Sequence, residues 1–456
     1  MLELIILCIL YLLLIIIMGY DLVYILIKQR NINTYFFCKL IYFVVYSLIP
    51  FILHTKYSIH RSLYPWNINI NYSESGIDAL YLSCLFSFIG YIFLTIGYID
   101  PFKIKLNLKI KNKIKRDNSK KNQSLLRMNL IILFILGIFS LFMWSKAYGG
   151  IFALIREANA VRSGFSNIYN PYSFTKRFVP VLLISSYGFI ILVTFKSNSK
   201  VLDLIFWLFS TIGSILYLLA SDGRMTAGFY FIGYIIIYFK SKSRLIDYKI
   251  NIRILIKVFL YFTFILIFIM KMDDLTYYLR NGEWISTDNN INLISKLIKE
   301  LSFVEYSNQL AIINSKKIGL QILNDVGYGL YSWLPSSTII NPFDRLWSIN
   351  SILAGASSGE VPCGIVAQGY YDLRLFGIIS FTYMYGKLIK KVDKLDISSP
   401  FGFTLFASIF YSIVRVVAYG MIYDFLQGLF NVFIFIIFYK FLEFIVNLKN
   451  TDIVYT

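Results

Sequence analysis

Uninterrupted apolar runs of membrane-spanning length recur along this chain, and they limit its fold more than any other feature. About 18 consecutive apolar residues suffice to cross the hydrocarbon core as a helix. Candidate spans lie at 3–27, 36–53, 77–99, 128–146, 178–195, 201–220, 225–239, 254–271, 366–386, 400–420 and 424–446. The runs are continuous and do not alternate with polar residues, which argues against a β-barrel. Of the 456 residues, 57% are hydrophobic and 15% charged, against about a quarter charged in ordinary soluble chains. The expected fold is an all-α polytopic integral membrane protein with about 11 transmembrane helices.

The net charge of +19 would suit nucleic acid, but the cations stand in short blocks between spans, so no nucleic-acid partner is expected. Basic residues stay on the cytoplasmic side. With the N-terminus outside and the C-terminus inside, Lys and Arg are more than about three times denser in the inside segments than in the outside ones. The run Lys103–Arg127 then reads as a cytoplasmic anchor on anionic lipid heads. Leu4–Ile27 is too long for a cleavable leader and lacks a basic start, so it is read as the first span. Cys8, Cys38, Cys84 and Cys363 have neither metal spacing nor a disulfide framework. Both histidines, His54 and His60, fall in the first outer loop, where a solvated surface role is the expectation.

Three regions follow: a bundle of eight spans over 1–271 with external loops 54–76 and 147–177, a large external loop over 272–365, and the last three spans over 366–456. A long insert without linker composition is usually functional, and this one is expected to form the lid and one wall of a site at the outer surface. Within it, Ile291–Ile313 places its apolar residues on one helical face, as in a helix lying flat on the leaflet.

Arginines outside run against the topological bias and need a reason. Arg156 and Arg162 lie six apart in the loop 147–177; they either snorkel to lipid phosphates or bind phosphate or pyrophosphate through the guanidinium fork. Arg224 follows Asp222-Gly223 in a tight turn before an apolar run of only fifteen residues, Met225–Phe239. So short a span would sink that turn below the surface, at the positive end of a helix. Arg345 adjoins Asp344, and Tyr370, Asp372 and Arg374 occupy the outer turns of the next span. Arg415 lies about fifteen residues into a span, where a cation faces the bundle interior, with Asp424 as its nearest partner. Tyr328, Trp333 and Tyr370 are candidates for stacking on sugar rings, although an interfacial aromatic belt is the commoner role.

Together, the many spans, the external segment Leu154-Ile155-Arg156-Glu157-Ala158-Asn159, the Asp222-Gly223-Arg224 turn and the stretch Ala367-Gln368-Gly369-Tyr370-Tyr371-Asp372-Leu373-Arg374-Leu375-Phe376-Gly377 resemble the bacterial oligosaccharide repeat-unit polymerases, the Wzy-type polymerases of O-antigen and capsule assembly. Two positions depart from that pattern: Gln368 stands where the family tends to carry an acid, and Arg374 where its first glycine is expected.

The resemblance implies a metal-independent glycosyltransferase of the bacterial cytoplasmic membrane, with no cofactor. It would move a growing chain from undecaprenyl pyrophosphate onto a new lipid-linked repeat unit at the outer face, building capsule or the O-antigen of lipopolysaccharide. Its partners would be the lipid-linked oligosaccharide, membrane lipid, a chain-length regulator and a flippase. Cations must then stabilise the departing diphosphate, and a base must take the proton of the attacking hydroxyl. Arg156, Arg162, Arg224, Arg345, Arg374 and Arg415 are the candidate cations; Glu360, Asp222, Asp344 and Asp372 are the candidate bases. A lipid-linked oligosaccharide flippase is a rival reading, disfavoured by the long outer insert. A ligase-like transferase is a second, disfavoured because 272–365 contains no histidine. A lipid-binding scaffold without catalysis is a third.

Overall fold

The computed structural model of the chain describes residues 2–29, 32–57, 70–101, 120–163, 168–195, 200–221, 223–243, 301–334, 342–355, 361–420 and 422–452, with isolated positions between 260 and 298. Helices are the only regular elements among the described residues. Lipid imposes this, because a helix pairs its own backbone groups where no water can.

Among the described residues, eight helices are long and apolar enough to cross a membrane: α1 (Leu2–Ile27), α2 (Thr34–Thr55), α3 (Glu74–Ile99), α4 (Asn122–Lys146), α7 (Ser173–Thr194), α8 (Lys200–Ser221), α14 (Pro400–Tyr419) and α15 (Ile422–Leu448). Between α4 and α7 lie two short helices, α5 (Ile151–Arg156) and α6 (Ala158–Ser163), both packed on α8. The other helices among the described residues are α9 (Arg224–Ser243), α10 (Phe303–Ile313), α11 (Asn324–Tyr331), α12 (Leu346–Leu353) and α13 (Gly364–Asp393). The protein is thus a multi-pass α-helical membrane protein. The apolar run expected at 254–271 falls almost wholly outside the described residues.

The bundle is built around α14, whose apolar window is 89% buried, while that of α1 is 22% buried and shows Ile9, Leu13 and Ile16 to the surroundings. Close backbone packing joins α3 to α13. A Cβ on Gly97 would lie 2.0 Å from Tyr383 O, and one on Gly386 would lie 2.2 Å from Leu94 O. Small residues at such crossings let helices approach where lipid supplies no hydrophobic drive.

Contacts sort the helix ends into two groups. At one end Asp393 accepts from Thr34 N (2.8 Å) and Tyr98 OH (3.2 Å), and Lys387 pairs with Asp100 at 3.1 Å. At the other, Tyr81 OH donates to Glu3 O (2.6 Å) and Trp333 Nε1 to Leu426 O (3.1 Å), and between the ends Ile365 N donates to Tyr46 OH (2.7 Å). The described part of the insert, α10 to α12, folds onto this second end.

Four expectations need correction. The helix after Gly223 runs 20 residues, Arg224–Ser243, about 30 Å at 1.5 Å per residue. It continues through Lys240, whose side chain is buried over the Phe406 ring, so the helix is longer than the fifteen-residue apolar run Met225–Phe239. Second, the described part of the helix expected over Ile291–Ile313, α10, does not lie flat: Phe303, Val304, Glu305 and Ser307 are buried and it packs on α3 and α13, while 291–297, 299 and 300 lie outside the described residues. Its polar face finds partners inside the bundle, which periodicity alone does not reveal. Third, His54 is not a solvated loop residue. The helix begun at Thr34 continues through two π-helical turns, Val44–Leu48 and Leu53–Tyr57, and carries His54 inside at 1% exposure.

The fourth concerns α13, which breaks at Leu373 (φ −139°, ψ 28°) and Arg374 (φ 57°, ψ −139°). A Cβ on Gly377 would lie 1.9 Å from Gly369 O. Residues eight apart on a straight helix are separated by about 12 Å along the axis, so the chain bends back at the break. Asp372 and Arg374 therefore do not sit on the outer turns of one continuous span.

Candidate functional site where the insert meets the bundle

Two glycines set the geometry. Gly420 (φ 66°) turns the chain from α14 into α15, and Gly364 (φ 75°) opens α13; a Cβ on Gly420 would lie 2.2 Å from Gly364 O. This approach brings the end of α14, the start of α15 and the first half of α13 together beneath α11 and α12.

Arg415, 9% exposed, donates from Nη2 to Asp424 Oδ2 at 2.6 Å across that turn. A cation at this depth is tolerated when paired. Arg345, just before α12, lays its guanidinium over the rings of Tyr328 (5.6 Å) and Tyr423 (5.9 Å), a geometry that favours cations over aromatic faces. Tyr423 neighbours Asp424, so both arginines border one patch.

Behind this patch lies Asp325 of α11, 3% exposed. Its Oδ1 accepts from Leu346 N at 2.8 Å, capping α12 from a different helix, and its Oδ2 accepts from Gln368 Nε2 at 3.1 Å. Burial pushes its carboxyl up to about 7; the Leu346 N–H opposes this, the Asp424 charge adds to it, and Arg345 partly offsets it. Asp372, 1% exposed, is near enough to Asp325 for the two charges to repel. Neither carboxylate oxygen of Asp372 closes a hydrogen bond among the described residues, although the Leu323 and Asn324 amides face it. Tyr371 OH donates to Asn350 Oδ1 at 2.9 Å and ties α13 to α12 on the other side.

The structure thus gathers Arg345, Arg415, Asp372 and Tyr328 into one polar junction with Asp424, Asp325 and Gln368. Arg374 stands beside it and is engaged by the backbone: its Nη2 donates to Ile318 O (2.9 Å) and Ser315 O, and its Nη1 to Tyr370 O (3.3 Å). Tyr370 stacks on Phe86, and Trp333 packs on Phe430 and Phe433, so both rings already have protein partners. Asp344 is exposed beside Arg345. Arg156 is exposed at the end of α5, away from these contacts in sequence and carried by a helix packed on α8. Glu360 and Asp222 lie outside the described residues, as do the side chains of Arg162 and Arg224.

Asp325 is not among the candidate bases, because nothing in its local sequence distinguishes it from a solvated loop acid. Nor is Glu305, buried on α10. No group of three or more His, Cys, Asp or Glu suited to a metal occurs among the described residues. Comparison with family models, with characterised proteins and with solved structures finds no match to this chain.

Proposed function

We propose that the protein polymerises lipid-linked oligosaccharide repeat units at the outer face of the bacterial cytoplasmic membrane. It transfers the growing chain from undecaprenyl pyrophosphate to a new repeat unit. In this reading the chain crosses the membrane eleven times, with its N-terminus outside, and the insert end of the bundle faces outward. The observation that carries the reading is the meeting of Arg345 and Arg415 with Asp325 and Asp424 where the insert folds onto the spans.

The chemistry follows from that set. The bond from the anomeric carbon to the phosphate oxygen breaks, and the diphosphate leaves with its charge. Arg345 and Arg415 stabilise that charge; the guanidinium fork suits phosphate oxygens, and the aromatic rings keep Arg345 away from bulk water. The acceptor hydroxyl attacks the anomeric carbon and gives its proton to a carboxylate. Asp325 suits this task, because a general base works best with a pKa near the working pH, and burial holds its carboxyl at about 7. Asp325 is nearly covered, so the acceptor reaches it when α11 and α12 part from the first half of α13. Tyr328, partly exposed, borders the path, with Tyr423 buried beside it.

The test uses purified protein and a purified lipid-linked repeat unit, with polymer length read on a gel. Arg345→Ala and Arg415→Ala should each reduce polymer by about 100-fold, within the range for loss of one charge-stabilising group. Wild-type protein that makes no polymer would sink the proposal. In cells, loss of a polymerase leaves single repeat units at the surface, whereas loss of a flippase leaves none there.

A further inference from the structure

A second set of polar groups, most of them buried and separate from the junction, runs along α1, α2 and α3, with Asp21 about a third exposed. Near the insert end, Glu305 of α10 is 1% exposed and accepts from Tyr11 OH at 2.8 Å and Ser83 Oγ at 3.0 Å. His54 Nε2 lies 3.5 Å from the same carboxylate, and its Nδ1 is 3.1 Å from Tyr72 OH, which is only half-buried. Towards the opposite end, Lys39, fully buried, pairs with Asp21, and Tyr91 OH donates to Asp21 Oδ2 at 2.5 Å. Beyond it the Tyr35 ring stacks on Tyr98 at 3.8 Å, and Tyr98 OH donates to Asp393 Oδ2 at 3.2 Å.

These two centres share three helices. Tyr11 and Asp21 are on α1, His54 and Lys39 on α2, and Ser83 and Tyr91 on α3. Ser83, Ser87 and Tyr91 stand at i, i+4 and i+8, one helical face. Ser87 Oγ and Asn308 Oδ1 are buried and have no hydrogen-bond partner among the described residues. Ser87 stands between Ser83 and Tyr91 on that face, as a group that a buried water would engage, and Asn308 Nδ2 donates to Ser83 Oγ at 3.1 Å. Tyr42 bridges the same gap, with its ring 5.8 Å from Tyr91 and its hydroxyl donating to Ser87 O.

Burying ion pairs in a bundle rarely adds stability, since apolar residues of equal volume do as well. Ionisable groups inside spans instead mark ion and proton paths. The π-helical turns of α2, one of which presents His54, are a backbone irregularity that often accompanies functional sites.

We propose that this column is a proton relay through the bundle, with Glu305 and Asp21 as its two carboxylate stations and Ser83, Ser87 and Tyr91 as the hydroxyls between them. A proton arriving at the Tyr72–His54 end passes to Glu305, moves along the hydroxyls to Asp21, and leaves from the exposed side of that carboxylate. The hop from His54 breaks an N–H bond and makes an O–H bond, and each later hop makes one O–H bond and breaks another, so no oxidant or co-reactant is involved. The relay does not depend on sugar transfer, and the two readings stand or fall separately.

The experiment is proton flux into vesicles that contain the full-length protein, a trapped pH-sensitive dye and a potassium diffusion potential set by valinomycin. Wild-type vesicles should acidify faster than protein-free ones, and Glu305→Gln and Asp21→Asn should each cut that excess by at least about tenfold. Glu305→Asp should restore part of it. Ser83→Ala, which removes no charge, should also slow the flux and serves if Glu305→Gln fails to fold. Wild-type flux equal to protein-free vesicles would overturn the relay. So would folded Asp21→Asn and Ser83→Ala variants that both carry wild-type flux.

Discussion

Gln368 on the first half of α13 donates its side-chain amide to Asp325 Oδ2 of α11 at 3.1 Å. The resemblance drawn from the sequence puts an acid at position 368; the chain has an amide there, and that amide's partner is a carboxylate on α11, 43 residues away. The amide suits this because it can donate, whereas a second carboxylate would repel.

Gln368→Glu tests that relationship. At pH 8 it sets two buried acids against each other, and the cost should be about 1–3 kcal/mol or more. At pH 5 one of them is protonated and donates, so most of the cost disappears. Thermal unfolding in detergent at the two pH values reads the difference.

Asp325 also gives a signed pH dependence. Its folded carboxyl is raised to about 7 from an ordinary 3.8, so between those values the folded protein holds a proton that the unfolded chain has lost. Stability therefore falls as pH rises from about 4 to about 7 and then levels, by at most about 4 kcal/mol at 1.36 kcal/mol per unit. Asp325→Asn should flatten that part of the curve and lose little or nothing at pH 8. An unchanged slope in the variant would remove Asp325 as its source.

The break in α13 predicts an unusual order of variants. Arg374 holds φ 57° and ψ −139°, a region that glycine enters without strain and other residues enter at about 1–3 kcal/mol. Arg374→Ala loses the bonds to Ser315 O and Ile318 O and keeps the strain; Arg374→Gly loses the bonds and relieves it. The glycine variant should therefore be the more stable by about 1 kcal/mol, as measured by denaturation midpoints.

Arg415 and Asp424 should show strong coupling. Removing either alone leaves a poorly solvated charge and should cost about 2–3 kcal/mol, below the fully buried figure because both side chains keep some exposure. Replacing both by Met should cost less than either single change. Polymer formation should fail in all three, which separates the pair's role in chemistry from its role in folding.

Gly97→Leu should part α3 from α13, because its Cβ alone would stand 2.0 Å from Tyr383 O. Backbone cannot yield as a side-chain tip can, so the loss should reach at least about 1–3 kcal/mol. Expression and elution in detergent would report it.

The amino-acid sequence by itself determined that the chain is helical and spans a membrane many times. Apolar length and bilayer thickness are local quantities, and each run satisfies its own backbone. It also pointed to Arg415 and Asp424, since one turn separates them and a lone buried cation must find a partner. Tertiary structure alone decided the rest: that Glu305 turns inward to Tyr11 and His54, that Asp325 reaches Gln368, and that α13 bends so that Gly369 meets Gly377. Those partners come from helices far apart in the chain, and only the way the helices cross selects which buried polar groups meet.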